Sequence, residues 1–270
     1  MLAWIAWSYN AGTGCWHEQG SNSMRAHETA PGTCRPRGLI SRPRLAAVGL
    51  VLLLLLAPAC SRNEVETTVD PADLVSAAAD RLDQVKTFHF LLTHESGGTP
   101  ILQTMLLTQA EGDVARPGQM KAQLDVEAVG AALQLQFIGI GDEAWLSNPF
   151  NPAEWQPLPD IAADDVLNVE ALPEVLRKIR DARLLGEERI DGVTSYHIQG
   201  KLHSADLEAV VPSGAEPGLE VTVDLWIGKD DSLVRRVVVS GALTFNEATT
   251  MKRTLELSGF DQPVAITPPQ

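Results

Sequence analysis

Cysteine is scarce in this sequence. Three cysteines occur in 270 residues, and two of them, Cys15 and Cys34, lie before an unbroken apolar run at residues 45–57. If that run is part of a removable leader, Cys60 is the only cysteine left, and no disulfide can form within the mature chain. A disulfide-stapled scaffold is therefore excluded, and residues 60–270 must fold on a hydrophobic core, for which their length suffices.

Basic residues are scarce as well. The chain contains 21 Lys and Arg against 35 Asp and Glu, and five arginines but only two glutamates precede Cys60. Residues 60–270 therefore hold 16 basic and 33 acidic side chains, which is a formal charge of about −17. Such a surface repels phosphate groups, so it argues against nucleic acid as a partner and against adhesion to anionic lipid headgroups by charge.

Complete catalytic and metal-binding motifs are missing too. His94-Glu95 begins like the zinc motif HExxH, but glycine occupies the position of the second histidine. Residues 139–144, GIGDEA, match a dinucleotide-binding pattern, but a strand-like segment follows where a helix is required, which predicts a hairpin turn. The aspartate pairs at 164–165 and 230–231 lack the spacing of a calcium loop. We expect no enzymatic activity, no metal site and no cofactor.

The most distinct feature that is present is an export signal. The run LAAVGLVLLLLLA at residues 45–57 follows four arginines at 35–44 and precedes Pro58-Ala59-Cys60. Basic, apolar and small residues in this order are typical of a secretory signal, and thirteen apolar residues are too few to span a bilayer, which needs about 20. The ending resembles the bacterial lipobox, although Ala57 stands where Leu is commoner. This resemblance implies cleavage after Ala59 and a diacylglycerol with acyl chains on Cys60; an uncleaved anchor is the alternative.

These features divide the chain into four parts. Residues 1–34 lack periodicity and are unstructured or reflect an overcalled start site, residues 35–59 are the signal peptide, and residues 60–69 are the lipidated Cys60 with a polar tether. Residues 70–270 form one domain. Two or three acyl chains on one residue give stable anchoring, so we expect the domain on the extracytoplasmic face of the cell membrane.

The domain begins with a helix and continues as strands. Asp70-Pro71 is an N-cap followed by proline, and it predicts a helix to about Lys86. Apolar and polar residues then alternate, most clearly at residues 121–128 and 221–227, as in antiparallel strands with one apolar face. Asp191-Gly192 predicts a hairpin. Further alternating segments and turns lie at residues 88–93, 133–137 and 228–231, and further helices are predicted at 172–180 and 204–210.

These elements predict an α+β fold. With eight to ten strands and three or four short helices, the natural arrangement is a strongly curved antiparallel sheet, a half-barrel, with the helices packed on its concave side.

Three longer stretches are familiar in order and spacing, namely residues 141–158, 182–202 and 221–241. They include Trp145 and Trp155, an aromatic after a glycine turn and a tryptophan some ten residues later. On these stretches the domain resembles the LppX/LprA/LprF/LprG family of mycobacterial-type lipoproteins and, more distantly, the LolA/LolB carriers. The resemblance implies an apolar cavity between sheet and helices that takes acylated lipids or glycolipids toward the outer envelope. It also makes a lipid exporter a candidate partner.

Elementary energetics favours such a cavity. An acyl chain in water costs about 0.8 kcal/mol per CH₂, so a carrier must offer a dry aliphatic surface. The apolar strand positions that we predict to line the cavity are Phe90, Leu92, Leu124, Val126, Leu133, Leu135, Phe137, Ile198, Val223, Leu225, Leu255 and Leu257. The alternative is a surface-anchored structural or interaction module whose sheet is fully packed and holds no cargo.

Overall fold

The structure is a computed structural model, and it describes residues 69–101, 105–211 and 214–270. The predicted signal peptide, Cys60 and most of the tether lie outside these ranges. Among the described residues, no helix combines the length and apolarity needed to cross a membrane.

The described part of the chain contains three α-helices and twelve β-strands. The helices are α1 Pro71–Gln84, α2 Ala163–Val166 and α3 Leu172–Leu176, and 3₁₀ turns lie at Val169–Ala171 and Ser204–Leu207. The strands are β1 Thr87–His94, β2 Thr99–Ile101, β3 Met105–Ala115, β4 Gln119–Ala128, β5 Ala131–Ile140, β6 Glu143–Asn148, β7 Asn151–Pro157, β8 Arg180–Ile190, β9 Val193–His203, β10 Glu220–Gly228, β11 Val234–Ser240 and β12 Lys252–Ser258.

Helix α1 begins as its sequence predicts. The Asp70 side chain accepts a hydrogen bond from the Ala72 amide at 2.9 Å, which satisfies one of the free amides of the first turn. Its apolar stripe is buried in the core through Val75, Ala78, Ala79 and Leu82. The helix ends at Gln84 because Val85 takes an extended conformation and leads the chain into β1.

All twelve strands belong to one antiparallel sheet that does not close. The order along the sheet is β7-β6-β5-β4-β3-β1-β12-β11-β10-β9-β8, and the short β2 pairs with β3 outside this path. Two meanders, β3 to β7 and β8 to β12, therefore flank β1 at the centre. The predicted α+β class, with an open antiparallel sheet and short helices, is confirmed.

The connection between the two meanders must cross a face of the sheet. Strand β7 lies at one end of the strand order and β8 at the other, so residues 158–179, here called the crossover segment, have to bridge the whole width. Its buried side chains share one hydrophobic cluster with α1 and the strands, so the segment and α1 cover the same apolar face. The crossover segment and α1 are the two main coverings of this face. Arg177 links them, because its guanidinium donates hydrogen bonds to the carboxylate of Asp80 at 2.8 Å and to that of Asp83.

Strand register lines up the apolar residues. Residues that lie directly opposite on neighbouring antiparallel strands point to the same face. One such row crosses nine strands from β5 to β8 through Leu135, Leu124, Ala110, Leu92, Leu255, Val237, Leu225, Ile198 and Leu184. The row is buried from Leu135 to Ile198, and Leu184 at its β8 end is 41% exposed, so the face is covered along eight of these nine strands.

The element count differs from the sequence-based expectation of eight to ten strands. Strand β3 has a register shift between Leu107 and Gln109 that breaks its alternation. Strand β7 is an edge strand that carries Pro152 and Pro157, residues that weaken a strand prediction. The helix predicted at residues 172–180 stops at Leu176 because β8 already begins at Arg180, and the helix predicted at 204–210 is only a 3₁₀ turn.

The predicted hairpins are confirmed. Asp191 and Gly192 both have positive φ and join β8 to β9, as a two-residue turn requires. Gly141 and Asp142 join β5 to β6, so residues 139–144 form a hairpin and not a dinucleotide-binding loop. Gly139 has a different role: a Cβ there would lie 2.4 Å from the Cβ of Ala163, so its lack of a side chain lets α2 approach β5.

Two glycines in this hairpin allow a matched test of that role. Gly139→Asn should lower the free energy of unfolding by about 1 to 3 kcal/mol, because an overpacked side chain must displace α2. Gly141→Asn should be nearly neutral. The φ of +56° at Gly141 is one that asparagine tolerates, and apart from its chain neighbours no atom lies within 4 Å of the position that a Cβ would take. Denaturant unfolding of both variants measures the difference, and equal stability would contradict the packing role of Gly139.

Candidate functional site

A cavity of about 70 Å³ lies between the sheet and its coverings. Sixteen of the eighteen residues that line it are aliphatic, and the other two are Thr99 and Arg253. The aliphatic lining consists of Leu92, Leu167, Val169, Leu172, Val175, Leu176, Ile179, Leu202, Leu207, Val210, Val211, Val223, Val237, Val239, Leu243 and Leu255. A wall of this kind favours hydrocarbon over any polar ligand.

Three parts of the chain build this wall. The floor comes from the central strands, where Leu92, Leu255 and Val237 stand side by side in register. The roof comes from residues 167–179 of the crossover segment. The remaining side comes from the turn after β9, residues 207–211, and from Leu243 in the β11–β12 loop.

One buried ion pair closes the cavity on the side of the β11–β12 loop. Arg253 lies on β12 beside the aliphatic floor, and its side chain is 6% exposed; Nη2 donates to Oε1 of Glu247 at 2.5 Å. The other carboxylate oxygen of Glu247 accepts a hydrogen bond from the Leu243 amide at 2.8 Å. The pair therefore holds the loop that carries Leu243 against the sheet.

His94 is connected to this ion pair through the hydroxyl of Thr99. Its Nδ1 lies 2.9 Å from the Thr108 carbonyl oxygen, and its Nε2 lies 2.9 Å from the Thr99 hydroxyl, whose oxygen accepts a hydrogen bond from Nε of Arg253 at 3.3 Å. A carbonyl only accepts, so Nδ1 carries the proton and Nε2 accepts from Thr99. Burial lowers the pKa of His94 and favours this neutral form. Both ring nitrogens are thus taken up by contacts within the domain.

The predicted cavity residues fall into two groups. Leu92, Val223 and Leu255 line the cavity. The others belong to the same hydrophobic cluster without lining it: Phe90, Leu124, Val126, Leu135, Phe137, Ile198, Leu225 and Leu257 are buried, and Leu133 is half-buried.

Sequence reasoning missed most of the lining. Val237 and Val239 stand on one face of β11; VRRVVVS does not alternate, so only their spacing of two was a signal for them. The crossover residues Leu167 to Ile179 carried no comparable signal, because short helical turns at the end of a long connection have no clear period.

A larger groove of about 440 Å³ lies on the opposite face of the sheet. It is open to solvent, and its lining combines charged and amide side chains such as Glu111, Lys121 and Gln136 with one face of Trp155. A wet groove cannot shield hydrocarbon from water, so the smaller cavity is the candidate site. Among the described residues, no three His, Cys, Asp or Glu side chains are grouped so that they could hold a metal ion.

An open antiparallel sheet whose covered face encloses an aliphatic cavity defines a class of binding protein. The LppX_LprAFG lipoprotein profile matches residues 70–266, and the chain belongs to this family. The match confirms the resemblance drawn from residues 141–158, 182–202 and 221–241. Membership of a lipoprotein family indicates a membrane-associated or envelope location.

Two solved structures share the fold. LprF from Mycobacterium bovis superposes with a TM-score of 0.58 at 15% identity, over 74% of this chain and 96% of that one. The Mycobacterium tuberculosis lipoprotein LppX gives a TM-score of 0.52 at 18% identity, over 74% of this chain and 100% of that one. Curated protein sequences give no match to the chain.

The buried ion pair provides a test of how the cavity is closed. Glu247→Ala should destabilise the fold by about 3 kcal/mol, because it leaves the buried guanidinium of Arg253 without a counter-charge. Glu95→Ala, which removes an exposed partner of Lys252 at 3.4 Å, should cost less than about 1 kcal/mol. Thermal and denaturant unfolding measure both. A Glu247→Ala variant as stable as Glu95→Ala would show that the pair does not hold the loop.

Proposed function

We propose that the protein is a lipid-anchored carrier that binds the acyl chains of lipids or glycolipids in this cavity and moves them through the cell envelope. The observation that carries the proposal is the almost entirely aliphatic lining of the cavity on the covered face of the sheet. Membership of a lipoprotein family supports lipid binding in general.

The chemistry of the wall fits transfer in both directions. A chain of methylenes that leaves a bilayer for an aliphatic cavity exchanges one dry environment for another, so the free-energy change is small. The same chain in water would cost about 0.8 kcal/mol per CH₂. The cavity therefore permits loading and release without a catalytic group.

The size of the cavity sets a condition on binding. About 70 Å³ is well below the roughly 300–1,000 Å³ of ordinary ligand sites, so a whole acyl chain requires the coverings to move outward. The crossover segment suits such a movement because it contains only two short helices, α2 of four residues and α3 of five. Short elements with few internal hydrogen bonds are displaced at low cost.

The small volume also supports a second candidate function. An anchored structural or interaction module needs only a packed core, and a core with a residual cavity of this size would serve it. Native mass spectrometry of protein purified from membranes separates the two: bound lipid mass supports the carrier, and a bare polypeptide supports the module.

A tryptophan placed in the cavity should block cargo. Val223 lines the cavity and Val126 does not, and both are 1% exposed, so they form a matched pair. Val223→Trp should fill the free space and reduce co-purified lipid about tenfold with little loss of stability. Val126→Trp should instead overpack the core and cost about 1 to 3 kcal/mol or more. Lipid extraction and thermal melting measure the two effects.

The outcome decides between the candidates. If both variants lose the same stability and the wild type yields no lipid on extraction, the carrier proposal fails and the anchored module remains.

The anchor is tested at Cys60. Cys60→Ser removes the thiol that would accept the diacylglycerol, so the protein should move from the detergent phase to the aqueous phase or accumulate as an uncleaved precursor. Cys34→Ser provides the control, because that residue would be removed with the signal peptide. Normal cleavage and detergent partitioning of the Cys60→Ser variant would contradict the lipobox assignment.

A further inference from the structure

Because neighbouring strands are antiparallel, the turns lie along two opposite edges of the sheet, where each edge is the row of strand ends on that side. The β4–β5 and β6–β7 turns and the β11–β12 loop lie at one edge, because Ala128 pairs with Ala131, Asn148 with Asn151 and Ser240 with Lys252. We call this the cavity edge. The β5–β6, β8–β9 and β10–β11 turns lie at the other edge.

Three of the connections at the cavity edge each carry an exposed large apolar side chain. Val129 is 103% exposed, Phe150 is 86% exposed and Phe245 is 69% exposed. In the corresponding turns of the opposite edge the exposed tips are acidic, at Asp142, Asp191 and Asp230. The three exposed apolar tips thus lie at the cavity edge, beside charged side chains such as Glu95 and Lys252.

Two of these apolar residues have backbone amides that are fixed by a side chain, one within its own turn and one from the β9–β10 connection. The Phe150 amide donates to Oδ1 of Asn148 at 2.9 Å, and the Phe245 amide donates to the Glu216 carboxylate at 2.6 Å. These bonds order the backbone while leaving the rings in solvent, where a ring contributes nothing to folding. The rings therefore suit contact with something outside the domain.

Neither turn geometry nor packing within the domain favours a valine at position 129. Its φ is +52° in a two-residue hairpin turn with Gly130, where asparagine, aspartate or glycine is favoured and a branched residue is strained. The valine buries nothing within the domain. An observed strain of this kind points to a use for the side chain outside the fold.

The cavity and the start of the domain lie at the same edge. Four cavity-lining residues, Leu92, Leu202, Val239 and Arg253, stand one or two positions from the ends of their strands at the cavity edge. The first turn of α1 lies there as well, because Ala72 lines a pocket together with Ala182 at the beginning of β8.

We propose that the cavity edge docks on the lipid bilayer, with Val129, Phe150 and Phe245 inserted at the headgroup level. This inference rests on the proposed function, since the nine residues between Cys60 and Asp70 would tether this edge next to the membrane. Docking brings the cavity to the bilayer surface, so that hydrocarbon passes between them without crossing water. The acidic edge then faces the aqueous side, away from anionic headgroups.

Single-cysteine labelling tests the docking. The mature chain has no free thiol if Cys60 is acylated, so one cysteine at a time can be introduced as Val129→Cys, Phe150→Cys or Phe245→Cys and coupled to an environment-sensitive fluorophore. Asp142→Cys, Asp191→Cys and Asp230→Cys are the matched controls at the opposite edge. The full mature protein is reconstituted in phosphatidylcholine vesicles that contain a nitroxide-labelled lipid.

Labels at the cavity edge should be quenched about threefold or more strongly than the controls, because only groups within the interface meet the lipid-borne quencher. Anchored protein with no quenching at the cavity edge, or equal quenching at both edges, would overturn the docking and leave the anchor intact. A partner protein as the true occupant also predicts no quenching in these pure lipid vesicles. If Cys60 is unacylated, quenching after adding the protein from solution would still support docking while the anchor fails.

Discussion

The fold depends on the need to bury one apolar face of an open twelve-stranded sheet. The row that runs from Leu135 through Leu92 to Ile198 cannot stay in water, and the sheet does not close to hide it. Among the described residues, α1 and the crossover segment cover most of it, and residues 207–211 and the β11–β12 loop add to the covering. The strand order forces the crossover segment over this face. The first meander ends at β7 and the second begins at β8, and these two strands lie at opposite ends of the strand order.

The cavity arises because the segments that cover the sheet pack unevenly against it. A continuous helix such as α1 packs its stripe closely, whereas the crossover segment consists of short turns that leave space above Val223 and Leu255. Its walls are aliphatic, and Arg253 and Glu247 neutralise each other at its border. A buried charge pair stabilises only while both partners remain, so opening must keep the pair or move it as a unit.

The two edges of the sheet give the cavity a direction. Exposed apolar tips, the start of the domain and the cavity coincide at one edge, while aspartates occupy the turns of the other. A net negative domain cannot approach a membrane by charge, so apolar tips are the remaining means of contact besides a lipid anchor. Binding and orientation would then depend on the same part of the molecule.

Local patterns in the sequence determined the helix cap at Asp70, the hairpin at Asp191-Gly192 and the apolar face of most strands, because each depends on neighbours in the chain. The α+β class and the family could be predicted on this basis. Which apolar residues line the cavity could not: Leu92 and Phe90 read alike in sequence, but only Leu92 lies beneath the gap left by the crossover segment. That distinction, and the meeting of Val129, Phe150 and Phe245 at one edge, arise from contacts and strand directions that only the tertiary structure sets.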